Sequence, residues 1–449
     1  MTDQATDRSP EVQAALVIHP ARGHGRYAAK GGSSSPREPQ ARLDEAVGLA
    51  EALDLAIVGA QLTPLRTAIP ATLFGKGKII EIGDQIADLG ASVVVIDDAL
   101  TPVQQRNLEK TWQVKVLDRT GLILEIFARR ARTREGRLQV ELARLNYEKS
   151  RLVRTWTHLE RQRGGMGVMG GPGETQIETD RRLIADKIRK LKGELEEVRR
   201  TRNLHRASRK RTPTPTIALV GYTNSGKSTL FNRMTEAEVM AEDMLFATLD
   251  PTLRSLRLPG GRPAILSDTV GFISDLPHEL VEAFRATLEE VQEADVILHV
   301  RDIANPDSDA QAADVELVLA QIKLAPDSDR VLIEVWNKID LLDSEERGAV
   351  LARALRSDEG TGPLAVAVSA VSGEGLERLK QIIADHVDTG DEADVTLPSG
   401  DGQALAWLYR HGRIVRRTDN EEGDVILRVR LDPQALGRFA RSFPNALVQ

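Results

Sequence analysis

Apolar and polar positions follow several distinct rhythms along the chain, and each predicts a different architecture. Residues 1–40 are polar and rich in Gly, Ser and Pro, as in GGSSSPREPQ at 31–40, with one apolar run at AALVI, 14–18. This segment reads as largely flexible. Residues 41–128 alternate helical and strand patterns. ARLDEAVGLAEAL (41–53) precedes LAIVGA (55–60), GKGKIIEIGDQIADLG (75–90) leads into SVVVID (92–97), and another helical stretch precedes VKVLD (114–118). Strands alternating with helices predict a small α/β domain. GKGK (75–78) is no dinucleotide fingerprint, and its lysines suit ordinary surface as well as a phosphate contact.

Residues 129–212 change period. Leu138, Leu142, Leu145, Leu152, Trp156 and Leu159 keep a 4,3 spacing with Lys149 in one seam position, and Ile184, Ile188, Leu191, Leu195 and Val198 do the same. Two such seams predict an antiparallel helical hairpin, an arm whose helices need each other. Its tip is GGMGVMGGPGET, 164–175, with six glycines in the first ten residues. Thr175 followed by Glu178 has the capping-box pattern and predicts the start of the second helix. From 213 to 390, the short apolar runs TIALV, PAILSD, DVILHV, VLIEVW and LAVAVS, separated by helical stretches, predict a mostly parallel sheet with helices on both faces. Residues 391–449 predict a small α+β domain, with DVTLP, a helix in DGQALAWLYRHG, strands in RIVRRTDN and DVILRVRLD, and a last helix.

The 449 residues exceed what one core organises, in keeping with these divisions. With no cysteine, disulfides and thiol chemistry are excluded, and the eight histidines form no ligand cluster. The N-terminus lacks an apolar signal core, and no run approaches the roughly 18 apolar residues of a membrane span, so a cytoplasmic, monomeric protein is expected. Charge is uneven. From Ala128 to Thr212 there are 24 Lys and Arg against 11 Asp and Glu, so with the whole chain at −7 the remainder carries −20. A basic arm suits a polyanion partner; a solvated helical face is the alternative.

The chemistry is concentrated after residue 213. GYTNSGKST, 221–229, follows a strand and opens a helix, matching GxxxxGK[ST] in its required context. Gly221, Tyr222, Thr223, Asn224, Ser225, Gly226 and Thr229 supply the loop whose backbone N–H groups curl round phosphates. Lys227 places a charge at the β and γ phosphates, and Ser228 offers a hydroxyl to Mg²⁺. NKID, 337–340, closes VLIEVW: Asp340 can accept guanine N1–H and the 2-amino group, Asn337 can bond the base edge, the Lys338 stem can stack on the ring, and Ile339 lies between them. Sites built on such hydrogen bonds reject the wrong ligand by about 10⁴-fold. Ser369–Ala370 suits a backbone contact to the guanine oxygen. In DTVGF, 268–272, Asp268 holds Mg²⁺ through water, Thr269 and Val270 continue the loop, and Gly271 donates its N–H to the γ-phosphate. In LFATLDPT, 245–252, Phe246, Ala247, Leu249 and Asp250 flank Thr248, the preferred hydroxyl for Mg²⁺ in the triphosphate state, with Thr252 the competitor. Release of both loops on γ-phosphate loss is the switch logic.

Taken together, GYTNSGKST, LFATLDPT, DTVGF, NKID and SA resemble a translation-factor-class GTPase. With the arm, GGPGETQIETDRR at its tip and GKGKIIEI upstream, the chain closely resembles the HflX GTPases from about 41 to about 390. The resemblance implies GTP hydrolysis, binding to the large ribosomal subunit and its RNA, and splitting or rescue of stalled ribosomes under stress such as heat. It also points to the arm for the RNA contact, through Gly164, Gly165, Gly167, Gly170, Gly171, Gly173, Arg181 and Arg182. The tip reads GGMGVMGGPGET, whereas another basic residue is expected among the glycines. A ribosome-assembly GTPase, or a nucleotide-gated RNA-binding scaffold with incidental turnover, are the alternatives.

Phe272 stands where many GTPases carry a water-orienting glutamine. Slow intrinsic hydrolysis is therefore expected, with the missing contact supplied from elsewhere. Asn224 within GxxNxGKS suits a monovalent cation, K⁺, beside the phosphates, or else only buttresses the loop. Docking on the ribosome is the second source.

Overall fold

In the computed structural model of the chain, the described residues are 13–22, 37–160, 172–209, 214–235, 245–246, 248–275, 285–321, 331–357, 364–387, 391–398, 400–420, 424–431, 433–444 and 446–448. They form two compact units: Met1–Arg199 with Asp243–Leu249 and Ser274–Arg285, and Arg200–Glu242 with Asp250–Ile273 and Ala286–Gln449.

The first unit begins β1 (Ala14–Arg22), α1 (Pro39–Glu51), β2 (Ala56–Leu65), α2 (Lys76–Leu89), β3 (Val93–Ile96), α3 (Pro102–Trp112), β4 (Lys115–Asp118) and α4 (Arg119–Arg130). The strands form a parallel sheet in the order β2-β1-β3-β4. Every residue of β3 is buried, which is why SVVVID shows no alternation. A capping box starts α3: the Thr101 hydroxyl accepts from the Gln104 N–H and the Gln104 side chain accepts from the Thr101 N–H.

The strand order reverses between β1 and β3, the place where open α/β sheets gather polar side chains at their carboxyl ends. Here Asp97 bonds His19 Nδ1 at 2.7 Å and Arg119 Nη1 at 2.5 Å. Burial alone would raise the Asp97 pKa, but Arg119 and His19 outweigh it and hold the carboxyl at about 2. Arg119 also pairs with Glu45 and donates to the Ser274 carbonyl (3.2 Å) and hydroxyl (3.1 Å). Within the same unit Phe246 meets Phe127 edge-on, ring centres 4.7 Å apart. Phe246 adopts φ 57°, a left-handed conformation that costs a bulky residue roughly 1–3 kcal/mol and persists only where packing imposes it.

The arm consists of α5 (Arg134–Glu160) and α6 (Pro172–Arg209). Leu138, Leu142 and Leu145 are buried against Ile188, Leu191 and Leu195, with Ile184 and Val198 alongside, as the seam spacing predicts. Asp118 anchors α5 to the sheet. It caps α4 through the Gly121 N–H (2.8 Å) and accepts from the Tyr147 hydroxyl (2.7 Å) and from Arg151 (3.2 Å). One expectation is corrected. Thr175 does not begin the second helix, which reaches back to Pro172, because proline's fixed φ and missing N–H suit a first helical turn. Residues 1–12 and 23–36, tip residues Gly164, Gly165, Gly167, Gly170 and Gly171, and the side chains of Leu152, Trp156 and Leu159 lie outside the described residues. The same holds for the side-chain surroundings at Gly173.

The second unit contains β5 (Thr216–Gly221), α7 (Lys227–Thr235), β6 (Thr252–Arg257), β7 (Pro263–Asp268), α8 (Arg285–Gln292), β8 (Val296–Asp302), α9 (Ser308–Gln321), β9 (Val331–Asn337), α10 (Ser344–Ser357), β10 (Ala365–Ala367) and α11 (Leu376–Val387). The sheet order is β10-β9-β8-β5-β7-β6, parallel except for β6. Ile217, Leu219, Phe231, Leu298 and Val335 lie in its core. The chain then forms β11 (Asp391–Leu397), α12 (Gly402–His411), β12 (Arg413–Asp419), β13 (Val425–Leu431), α13 (Pro433–Ser442) and β14 (Leu447–Val448). These strands make an antiparallel sheet, β12-β13-β11-β14, whose buried Val395 and Val429 pack with Leu408 of α12 and Phe439 of α13. The second unit is thus a mostly parallel α/β sheet followed by a small α+β layer. Among the described residues no helix is long and apolar enough to cross a membrane.

Candidate functional site

GYTNSGKST bends from the end of β5 into α7, so Lys227 and Ser228 lie in the first turn of a helix, where free N–H groups favour an anion. Gly226 has φ 89°, and a Cβ there would collide with the Asn337 side chain, so only glycine serves. Asn224 has φ 58° and is exposed on the loop. The Lys227 ammonium is buried and donates to the carbonyls of Gly221 (3.2 Å) and Tyr222 (2.7 Å). Burial lowers its pKa to about 8; nearby Asp268 opposes this and Lys338 adds to it.

Below pH 8 the folded chain therefore carries the full cost of a buried ammonium, and that cost disappears as pH rises toward the unfolded value of 10.5. A phosphate beside the ammonium favours its charged form and reverses the shift. Nucleotide binding at pH 9 is accordingly expected to take up close to one proton, and at pH 7 none through this group. Calorimetry in two buffers of different ionisation enthalpy measures the uptake; identical heats at pH 9 would refute it.

DTVGF is stitched to the phosphate loop by main chain. The Phe272 N–H donates to the Gly221 carbonyl (3.0 Å), and the Phe272 carbonyl accepts from the Thr223 N–H (2.7 Å). The Phe272 ring is buried, so the residue contributes its backbone to this loop. Gly271 lies flush on the loop, since a Cβ would come 2.9 Å from the Thr223 Cα and 3.1 Å from Lys227 Nζ. Thr269 is fixed to the Leu219 carbonyl (2.6 Å), and Val270 is buried. Asp268, fully buried at the end of β7, accepts from the Ser228 hydroxyl at 2.7 Å. A carboxylate and a hydroxyl placed together beside a phosphate-binding loop are hard oxygen donors that fit Mg²⁺. Among the described residues no cluster of three or more His, Cys, Asp or Glu could hold a metal without substrate oxygens.

The NKID end of the site is organised by Asn337. Its carboxamide donates to the Ser225 carbonyl (2.9 Å) and accepts from the Ala370 N–H (3.0 Å). Sequence reasoning aimed this side chain at the base edge and the Ala370 backbone at the guanine oxygen. In the structure the two bond each other and Asn337 also bonds the phosphate loop, because Asn337 is buried at the end of β9 where these loops converge. Asp340 is exposed in the turn Ile339–Leu341, whose Ile339 is buried. Lys338 takes φ 68° and pairs with Asp302 at 2.8 Å. Asp302 was missed in the sequence, although it is the last residue of β8 and stands in register with Asn337. Ser369 is buried, and its hydroxyl accepts from the Ser372 N–H (3.1 Å).

Gly221 to Thr229, Asp268 to Gly271, Asn337 to Asp340, Ser369 and Ala370 thus belong to one unit, along with Asp250. Phe246, Thr248 and Leu249 belong to the other, and Ala247 lies outside the described residues. Arg181 and Arg182 are exposed on α6.

Four family models match the chain: "GTP-binding GTPase N-terminal" over 40–128, "GTP-binding GTPase Middle Region" over 130–209, "50S ribosome-binding GTPase" over 216–338 and "HflX C-terminal domain" over 354–446. The GTPase HflX of Magnetococcus marinus is 51% identical over 401 residues, 89% of this chain and 90% of that protein. The GTPase HflX of Escherichia coli is 47% identical over 365 residues, 81% of this chain and 83% of that one. Among solved structures, a complex of SsGBP with GDP aligns with TM-score 0.48 and 24% identity, over 83% of this chain and 98% of that one.

Proposed function

The chain belongs to the HflX family of GTPases, and on that footing we propose that it binds the large ribosomal subunit when loaded with GTP and splits or rescues stalled ribosomes, notably under stress. Hydrolysis of GTP to GDP and phosphate then releases it. The observation that carries this reading is the arm: a paired-helix rod whose α6 exposes Arg181, Arg182, Lys187, Arg189, Lys190, Lys192 and Arg200. Such exposed cations neutralise phosphates and gain free energy from counterion release, which favours an RNA partner. Sedimentation with purified large subunits in sucrose gradients tests it: binding is expected with a non-hydrolysable GTP analogue and reduced binding with GDP, and equal binding with both, or with no nucleotide, would overturn it. A subunit-dissociation assay on intact ribosomes separates splitting from a role in assembly.

In the proposed reaction Lys227 holds the β and γ phosphates and Gly271 donates its N–H to the γ-phosphate. Ser228 and Asp268 would hold Mg²⁺, the latter through water, with Thr248 joining in the triphosphate state. When bound, Mg²⁺ neutralises charge on the β and γ oxygens. Asp340 selects guanine, and Asn337 keeps the base and phosphate loops in register. The buried Phe272 ring offers nothing to orient water, so unassisted turnover is slow and two outside contributions are expected. Saturating large subunits raise the GTP turnover number, and an unchanged value would count against docking as a trigger. K⁺ is expected to stimulate hydrolysis over Na⁺ through Asn224, as a stand-in for an arginine finger worth roughly 10³ to 10⁵ in rate. Equal rates in the two salts, with Asn224→Ala unaltered, would eliminate the cation.

A further inference from the structure

The edge hairpin of the GTPase sheet joins the nucleotide site to the C-terminal layer. β6 and β7 pair without a register break from Thr252–Asp268 at one end to Arg257–Pro263 at the other. At about 3.4 Å per residue this is a ribbon roughly 17 Å long. One end is Asp268, bonded to Ser228 in the phosphate-loop helix. The other end is a tight turn closed by Leu258 N–H to the Arg262 carbonyl and Gly261 N–H to the Leu258 carbonyl, both 3.0 Å.

That turn is clamped. Gly260 and Gly261 have φ 82° and 84°, a conformation glycine takes at little cost. A Cβ on Gly260 would lie 2.7 Å from Arg413 Cγ and 3.1 Å from the Ile414 carbonyl, and one on Gly261 would lie 3.1 Å from Tyr409 Cδ1. The turn backbone therefore rests directly on the Arg413 stem and the Tyr409 ring. Arg413 is itself held by an ion pair with Asp385 of α11. Tyr409 belongs to α12 and Arg413 starts β12, so the clamp is built by the C-terminal layer.

We propose that Tyr409 and Arg413 are positioning residues for the nucleotide site, and that the β6–β7 ribbon reports the state of that site to the C-terminal layer. Leu256 and Leu258 are buried in the core, and an antiparallel ribbon cannot slip by one residue without exchanging its inward and outward faces. Strain introduced at Asp268 thus travels along the strands and meets the fixed turn. The reverse also holds: loosening the turn lets Asp268 relax and weakens binding of the triphosphate more than that of GDP.

Hydrogen exchange on the full-length protein tests the link. Peptides spanning 404–417 are expected to exchange several-fold differently with GDP and with a non-hydrolysable GTP analogue. In Tyr409→Ala/Arg413→Ala that difference disappears, and affinity for the GTP analogue falls at least fivefold while GDP affinity changes less than twofold. Tyr409→Phe, which keeps the ring, behaves as the parent chain and shows that the variants fail through the turn. Identical exchange of 404–417 in the two nucleotide states of the parent, a difference that survives in the double variant, or equal losses for both nucleotides would each overturn the proposal. None of these readings uses a ribosome, so they stand or fall apart from the function proposed above.

Discussion

Lys227→Ala lowers kcat/KM for GTP by about 10³ or more. Removing a single preorganised donor to developing charge costs about 10²–10³ in rate, and Lys227 adds a full charge in a buried setting. The structure shows why no neighbour compensates. The ammonium is held by the Gly221 and Tyr222 carbonyls inside the loop, in a place already shaped for it. Alanine takes the ammonium from both carbonyls, of which that of Gly221 keeps the Phe272 N–H, and leaves the phosphates without their cation. Arginine does not restore the rate, because its planar fork needs more room than a compact ammonium. Single-turnover hydrolysis measures the loss, and a decline of less than tenfold would remove Lys227 from its proposed role.

Asp340→Asn reverses base choice. The carboxylate can accept from guanine N1–H and from the 2-amino group together, whereas asparagine offers one acceptor and presents a donor where the second acceptor was. Unpaired donors on both sides penalise guanine, by about 10²–10⁴ on the scale seen for sites built to hydrogen-bond their ligand. Xanthine carries an oxygen in place of the 2-amino group and gains what guanine loses. Competition between GDP and xanthosine diphosphate for the purified variant is the measurement. Preference for GDP within tenfold of the parent value would refute the assignment. Asp340 is exposed in its turn and lies outside the core, so the substitution tests recognition and leaves folding intact.

The signals legible in the sequence were local. TIALV before GYTNSGKST gives a strand, a loop and a helix by short-range pattern, and the 4,3 seams of the arm give two helices whose Leu142 and Leu191 share one buried cluster. What escaped was long-range. The Asn337 carboxamide bonds Ser225, 112 residues away, and no spacing within NKID reveals that the side chain turns inward. His19, Asp97 and Arg119 lie far apart in the chain and converge because the order β2-β1-β3-β4 sets β1, β3 and β4 side by side, while Glu45 joins them from α1 and Ser274 from a segment 155 residues beyond Arg119. Thr175 misled because a local capping pattern competed with a proline three residues earlier, and the proline prevailed. Phe272 was judged by its side chain, while its contribution to the loop is two backbone bonds that any residue other than proline can make.

Those two backbone bonds have a dynamic consequence. The Thr223 N–H donates to the Phe272 carbonyl and the Phe272 N–H to the Gly221 carbonyl across the loop junction, so neither amide reaches solvent unless the junction opens. The grip on the diphosphate and the sensing of the third phosphate then share one breathing event and one frequency. A cell that tunes how fast this protein forgets GDP would, through the same opening, tune how fast it notices GTP.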